Sequence, residues 1–278
     1  MTLFSHNGQL QALPPTALSP LYSGVAHGLG LFETLRFRHQ KPCFFKEHLQ
    51  RLLTSAKALG WRTLPLSEIQ WWEETCALLQ ESGVHEGIVK WLVMEQDGVL
   101  ERFVCLRDLS PRPAFQAEQS LCAARHPRAS GAFTSQHKTL SYLDNLLEKR
   151  AAKEEGFDEA FFVNEKGCLT EGTMSNLFFV ADNKIYTPAL NNGLLPGIVR
   201  AQTLFLLKTW GVEVIEGHFH PRQLHKADEV FFTNSNILVA GVGRVVFGGE
   251  ETNYQSGFAP RLFKALVQRE EELLQQHP

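Results

Sequence analysis

Between Glu159 and Thr187 the chain carries three short apolar runs. They are EAFFVN (159–164), NLFFVA (176–181) and KIYT (184–187), set apart by the turn residues Glu165-Lys-Gly and Asp182-Asn. Runs of this length and punctuation read as strands, so the second half is built on a sheet. Helical patterns alternate with strands elsewhere. Leu49, Leu52, Leu53, Ala56 and Leu59 share one face of a helix over 43–60, and Gly60 stops it. A second helix runs over 67–82 from Ser67 as N-cap to Gly83, with Ile69, Trp72, Cys76 and Leu79 as its stripe. Strands at 88–94 and 101–106 pair around Asp97-Gly98. Further helices are expected over 141–155 with Ser141 as cap, from Pro196 to Thr209, and over 258–276. Further strands are expected at 212–215, 229–233 and 237–247. No internal repeat is visible. The chain reads as a two-domain α+β protein: residues 1–112 form a smaller N-terminal domain, 113–130 a connector, and 131–278 a larger C-terminal domain. The prolines of DLSPRPAF (108–115) mark the break.

Composition narrows the function classes. Hydrophobic residues make up 44% and charged residues 21% of 278, which excludes global disorder. Lys and Arg number 27 against 30 Asp and Glu, so there is no basic excess to neutralise a run of phosphates and no nucleic-acid partner is expected. The five cysteines, at 43, 76, 105, 122 and 168, include no CxxC pair, so neither a metal site nor a redox pair is expected. Their scatter suits a reducing cytoplasm. No signal peptide and no membrane-spanning run is expected.

Six local patterns could carry chemistry. Each also occurs as ordinary structure, and their order along the chain is what counts. Lys138, in HKTLSY (137–142), stands just ahead of an expected helix start, where the dipole disfavours a cation, so helix stability does not account for it. A desolvated lysine is a useful amine nucleophile. Glu171, in LTEGTMSN (169–176), sits among small and hydroxyl residues just before an apolar strand, where a carboxylate can pair with a buried protonated nitrogen. LPGIVR (195–200) opens a helix whose first N–H groups suit a phosphate. FFTNSN (231–236) ends an apolar strand in polar residues that suit phosphate oxygens. His48 and Arg51, three apart, share a helix face, and an arginine there can neutralise a phosphate. GLGLFETLR (28–36) is a glycine turn feeding an extended stretch, without the Rossmann fingerprint.

Taken in order, GLGLFETLR (28–36), HLQRL (48–52), KTLSYLDNLL (138–147), DEAFFVNEKGCLTEGTMSNLFFV (158–180), LLPGIVR (194–200) and DEVFFTNSN (228–236) resemble the fold-type IV pyridoxal-phosphate enzymes. This class IV aminotransferase group includes branched-chain and D-amino acid aminotransferases and aminodeoxychorismate lyases. The resemblance implies a two-domain fold with pyridoxal 5'-phosphate at the domain interface, in a homodimer. It implies that Lys138 anchors the cofactor covalently and shuttles protons, and that Glu171 pairs with the pyridine nitrogen. It implies that Arg51, the amides of Ile198 and Val199, Ser235 and Thr233 hold the phosphate, and that Asn176 lies beside the cofactor. Phe32, Arg36, Lys90 and Asn234 are the expected substrate contacts.

The substrate is then a small amine-bearing carboxylate. Chain length, Thr233-Asn234-Ser235 and Lys90 in VKWLV (89–93) resemble the lyases, which release 4-aminobenzoate and pyruvate in folate biosynthesis. An amino acid aminotransferase of branched-chain or D-type preference is the alternative. Four positions depart from the family pattern. Met94-Glu95-Gln96 stands where relatives carry Thr/Ser-Arg-Gly, Leu29 where Asp is common, His27 where an aromatic is common, and Gly241-Val242 where Pro-Val is usual. Carboxylate recognition then falls to Arg36, Arg38, Lys90 or Arg107. A non-catalytic relative would have no physical reason to keep both Lys138 and Glu171.

Overall fold

The computed structural model describes residues 3–12, 23–61, 64, 67–96 and 98–275. These residues form two compact units. The first takes those up to Arg112, His137–Tyr142 and those from Glu270 on, and the second takes Pro113–Gln136 and Leu143–Arg269. This division differs from the expected one at 1–112, 113–130 and 131–278. Residues 113–130 contain a strand, and a short later segment returns to the first unit.

The first unit holds β1 (Leu3–His6), β2 (Gln9–Ala12), α1 (Ser23–Ala26), β3 (Gly30–Arg38), β4 (Lys41–Pro42), α2 (Phe45–Ala58), α3 (Glu68–Ser82), β5 (Glu86–Gln96) and β6 (Val99–Asp108). Its antiparallel sheet runs β2-β1-β6-β5-β3-β4. Strand β3 is buried on both faces, so simple alternation did not mark its ends. Leu31, Leu35 and Phe37 join Val89, Trp91 and Val93 in a core with Phe45, Leu49 and Leu52 of α2 and Trp71, Leu78 and Leu79 of α3. Phe32, Thr34 and Arg36 point to the opposite face. Helix α3 starts at a capping box: the Ser67 hydroxyl accepts from Gln70 N while the Gln70 side chain accepts from Ser67 N. Asp97, half of the expected hairpin turn, lies outside the described residues.

The first half of β3 has one edge on β5, and residues 137–142 take its other edge. Phe32 N donates to Lys138 O at 3.0 Å and Leu140 N donates to Gly30 O at 2.9 Å. Leu31 faces Thr139 in an antiparallel bridge. The approach needs a glycine: a Cβ on Gly30 would lie 2.4 Å from Leu140 Cδ1 and 2.8 Å from the Val93 carbonyl oxygen. Ser141 is therefore not a helix cap. Its hydroxyl donates to Gly28 O at 3.3 Å, and the next helix starts beyond it.

The second unit holds β7 (Gln116–Ala123), α4 (Phe133–Gln136), α5 (Leu143–Glu154), β8 (Glu159–Val163), β9 (Leu169–Gly172), β10 (Asn176–Ala181), β11 (Lys184–Pro188), α6 (Ile198–Thr209), β12 (Val214–Gly217), β13 (Glu229–Asn234), β14 (Leu238–Phe247) and β15 (Glu250–Asn253). Helix α7 (Ala259–Gln275) begins in this unit, and its last residues count with the first. Residue 276 of the expected terminal helix lies outside the described residues. The nine-stranded sheet runs β12-β11-β10-β13-β14-β7-β8-β9, with β15 on β14. Strand β9 also pairs back onto β10, at Asn176 and Glu171. The six strands β10-β13-β14-β7-β8-β9 therefore close into a ring around Phe161, Leu169, Leu177, Phe179, Val230, Phe232, Val242 and Val245. No helix of the described residues is long and apolar enough to cross a membrane.

Candidate active site

Pairing on the β3 edge fixes where Lys138 points. Thr139, opposite Leu31, shares the helix-covered side, so Lys138 and Phe32 lie on the other. There the Lys138 ammonium sits 4.4 Å from the centre of the Phe32 ring and 5.2 Å from that of Tyr142. Lys90, from neighbouring β5, lies over the same Phe32 ring at 4.3 Å. Phe32 and Tyr142 meet edge to face, 5.3 Å between centroids. Burial lowers the pKa of Lys90, and the nearby Arg107 charge adds to this. Two amines thus share one aromatic platform of the first unit, beside the apolar Leu92, Met94, Phe103 and Leu140.

On the helix-covered face, Glu33 stands between Leu31 and Leu35. Its carboxylate takes Arg51 through a two-point fork, Nε to Oε1 at 2.8 Å and Nη2 to Oε2 at 2.6 Å. His48 Nδ1 lies 2.7 Å from Oε2. Burial alone would raise the pKa of Glu33, but the charges and hydrogen bonds of Arg51 and His48 outweigh it and hold the carboxyl at about 2. Burial lowers the pKa of His48. An ionised carboxylate only accepts, so Nδ1 of neutral His48 carries the proton. Arg51 spends two of its five N–H donors on this fork.

In the second unit, register gathers the expected residues into a row. Glu171 on β9 is opposite Asn176 on β10, which is opposite Thr233 on β13, so all three project from one face where the ring closes. The buried Glu171 carboxylate accepts from Arg128 Nη1 on Oε1 at 2.5 Å. Its Oε2 accepts from Asn176 Nδ2 and Leu195 N, each at 3.1 Å. Asn176 Nδ2 also reaches Leu195 O at 3.0 Å. This holds the turn into α6 so close that a Cβ on Gly197 would lie 1.8 Å from Asn176 Oδ1. Gly197 is the N-cap of α6 and no side chain caps the first turn, so the Ile198 and Val199 amides lie at an uncapped positive end. The Thr233 hydroxyl is buried with no hydrogen-bond partner.

Two expected substrate residues have other commitments. Arg36 is buried, donates to Ser110 O at 2.9 Å, and is surrounded by the charges of Arg112, Glu86, Asp108 and Glu270. It lies about 13 Å along β3 from Phe32. Asn234 Oδ1 accepts from Asn236 N at 2.9 Å and Ile237 N at 3.0 Å, which builds the turn containing Ser235. Of the other cations weighed for carboxylate recognition, Arg38 pairs with Glu271 at 2.5 Å. Met94 is packed in the apolar cluster, and Glu95 accepts from Trp61 Nε1 at 2.9 Å. Sequence reasoning missed Glu33, Arg128 and Asn145. Glu33 carried a signal: it is in phase with Leu31 and Leu35, and a carboxylate in a core phase needs a cation. Arg128 carried none, being 43 residues from Glu171.

The chain is similar to known proteins in sequence and in fold. The aminodeoxychorismate lyase of Bacillus subtilis (strain 168) is 29% identical over 280 residues, 95% of this chain and 93% of its own. A putative 4-amino-4-deoxychorismate lyase of Legionella pneumophila superposes with a TM-score of 0.81 at 27% identity, covering 92% of this chain and 96% of that one. The branched-chain amino acid aminotransferase of Escherichia coli superposes with a TM-score of 0.85 over 96% of this chain and 93% of that one; at 21% identity this likeness is one of fold. The family model for class IV amino-transferases matches residues 30–245, a span that holds the Lys138 platform, the Arg51 fork and the Glu171 row, and on that match the chain belongs to the class IV amino-transferase family.

Proposed function

We propose that this chain is a pyridoxal-phosphate enzyme acting on a small amine-bearing carboxylate, and that its reaction is that of an aminodeoxychorismate lyase. The observation that carries the substrate class is the pair of amines on Phe32: Lys138 for the chemistry, and Lys90, half-buried at 4.3 Å from the ring, for a carboxylate. Glu95, occupied with Trp61, stands where relatives carry an arginine, so the cation that receives a carboxylate is Lys90. The lyase is favoured over transamination by Lys90, by Thr233-Asn234-Ser235, and by the likeness to the Bacillus subtilis lyase along nearly the whole chain.

The second unit fits the cofactor's anionic end: the uncapped first turn of α6 and the unpartnered Thr233 hydroxyl suit a phosphate. In this reading Ile198 and Val199 donate their amides, Thr233 and Ser235 their hydroxyls, and Arg51 its charge. Asn176 shapes the cradle by holding Leu195 and Glu171. Glu171, held in place by Arg128, Asn176 and Leu195 N, accepts a ring N–H. The bound cofactor supplies an electron sink for the carbanion formed at the substrate. Lys138 anchors it and then takes and returns protons at Nζ. Tyr142 and Phe32 border the amine and exclude water from one side of it.

The test supplies chorismate, glutamine and an aminodeoxychorismate synthase, and follows 4-aminobenzoate. The loaded wild type is expected to form it, and Lys138→Ala to lose at least about a thousandfold of the rate, as expected when a group serves both as covalent anchor and as acid–base catalyst. Glutamate formation from 2-oxoglutarate and an amino acid, without 4-aminobenzoate, would move the chain to the transaminases.

A further inference from the structure

The Glu171 carboxylate is not a lone acceptor waiting for a ring nitrogen. A guanidinium already lies 2.5 Å from Oε1, and both side chains are buried. Arg128 is fixed from three sides. Its Nη2 donates to Asn145 Oδ1 at 2.8 Å, its guanidinium covers the Phe162 ring at 4.2 Å, and its own backbone N donates to Val163 O at 2.9 Å. Asn145 is buried, and its other amide end donates to Thr173 O at 2.6 Å. Thr173 belongs to the turn after Glu171, which Glu159 also grips: one carboxylate oxygen accepts from Thr173 N at 3.2 Å and from its hydroxyl, the other from Ser175 Oγ at 3.4 Å. Asn145 therefore ties the guanidinium and the carboxylate to one rigid turn, at one separation.

That separation has an electrostatic meaning. A carboxylate beside a fixed cation in a low-dielectric site is a weaker base and attracts a second cation less. We propose that Arg128 is a positioning residue that moderates how firmly Glu171 holds the proton on the cofactor's ring nitrogen, with Asn145 setting its reach. Removing the guanidinium takes a fixed cation from beside the buried Glu171 carboxylate, and its grip on a ring N–H tightens. The inference rests on the reading that Glu171 meets that nitrogen.

The experiment measures a ratio of affinities. The enzyme is stripped and reloaded with pyridoxal phosphate or with the analogue in which carbon replaces the ring nitrogen, and binding is followed by quenching of its tryptophans. A structural loss at Arg128 weakens both ligands alike and leaves the ratio unmoved, whereas a change at the nitrogen moves it. In the wild type the ratio favours the natural cofactor. Arg128→Gln is expected to raise that preference on the order of tenfold, which corresponds to about one unit of ring-nitrogen pKa. Arg128→Lys, which keeps a cation, returns it towards wild type. Asn145→Leu, which keeps both charges but unties them, raises it about threefold and serves if Arg128→Gln does not fold. A ratio unchanged in Arg128→Gln, or in Asn145→Leu where that stands in, overturns the proposal. A wild-type ratio of one overturns instead the reading of Glu171 on which it rests.

Discussion

Glu33 shows how a charge in a core phase is kept there. Its folded-state pKa of about 2 lies below the ordinary 4.5 because Arg51 and His48 outweigh burial. The carboxylate therefore stabilises the fold fully above pH 4.5, and this contribution fades as pH falls towards 2. At neutral pH the shift corresponds to about 3 kcal/mol. Glu33→Gln is expected to lose stability of that order in urea unfolding at pH 7, and its stability is expected to change less than that of the wild type between pH 4.5 and 3. An equally steep acid loss in the variant would mean that other carboxylates dominate. Lys138 and Glu171 were legible in the sequence because nothing in their neighbourhoods accounted for them. Arg51 was legible as a cation, but the carboxylate it grips was not. Arg128 was not legible at all, because its partner lies 43 residues further along the chain.

The stretch 137–142 is a strand-like edge in the place where a helix cap was expected, and Gly30 decides how closely it docks. Gly30→Ala would push a methyl into Leu140 and the Val93 carbonyl, at a cost of about 1–3 kcal/mol. The same change is expected to lower the fraction of cofactor fixed to Lys138 by borohydride, read by peptide mass, at equal protein and cofactor. Wild-type labelling would mean that Lys138 does not depend on the β3 edge. Helices with caps at both ends, such as α3, were legible to within a residue. Strand β7 was not, because QAEQSLCA buries only three consecutive residues at its end and shows no alternation. Strand β14 was legible within a residue as 237–247, but its hairpin partner β15 was missed because Gly248-Gly249 was not taken as a turn.

The alternation of strands and helices gave the mixed class and the prolines of 108–115 the break after Arg112, but not the return of 137–142 to the first unit, because that depends on a pairing between residues far apart. That pairing, the use of 137–142 by the first unit, sets an order of events during synthesis. When Arg112 has left the ribosome, the first unit still lacks the segment that covers β3, and the Phe32 N–H and Gly30 carbonyl have no strand to meet. An open edge of this kind recruits other chains. A fragment ending at Arg112 is expected to aggregate, and adding the peptide 133–145 in trans is expected to raise its soluble fraction; a fragment that is monomeric and protected from hydrogen exchange along β3 would contradict this. In the full chain Lys138 arrives with the segment that closes this edge of β3, so a product truncated ahead of it lacks both the closed edge and the amine proposed as anchor.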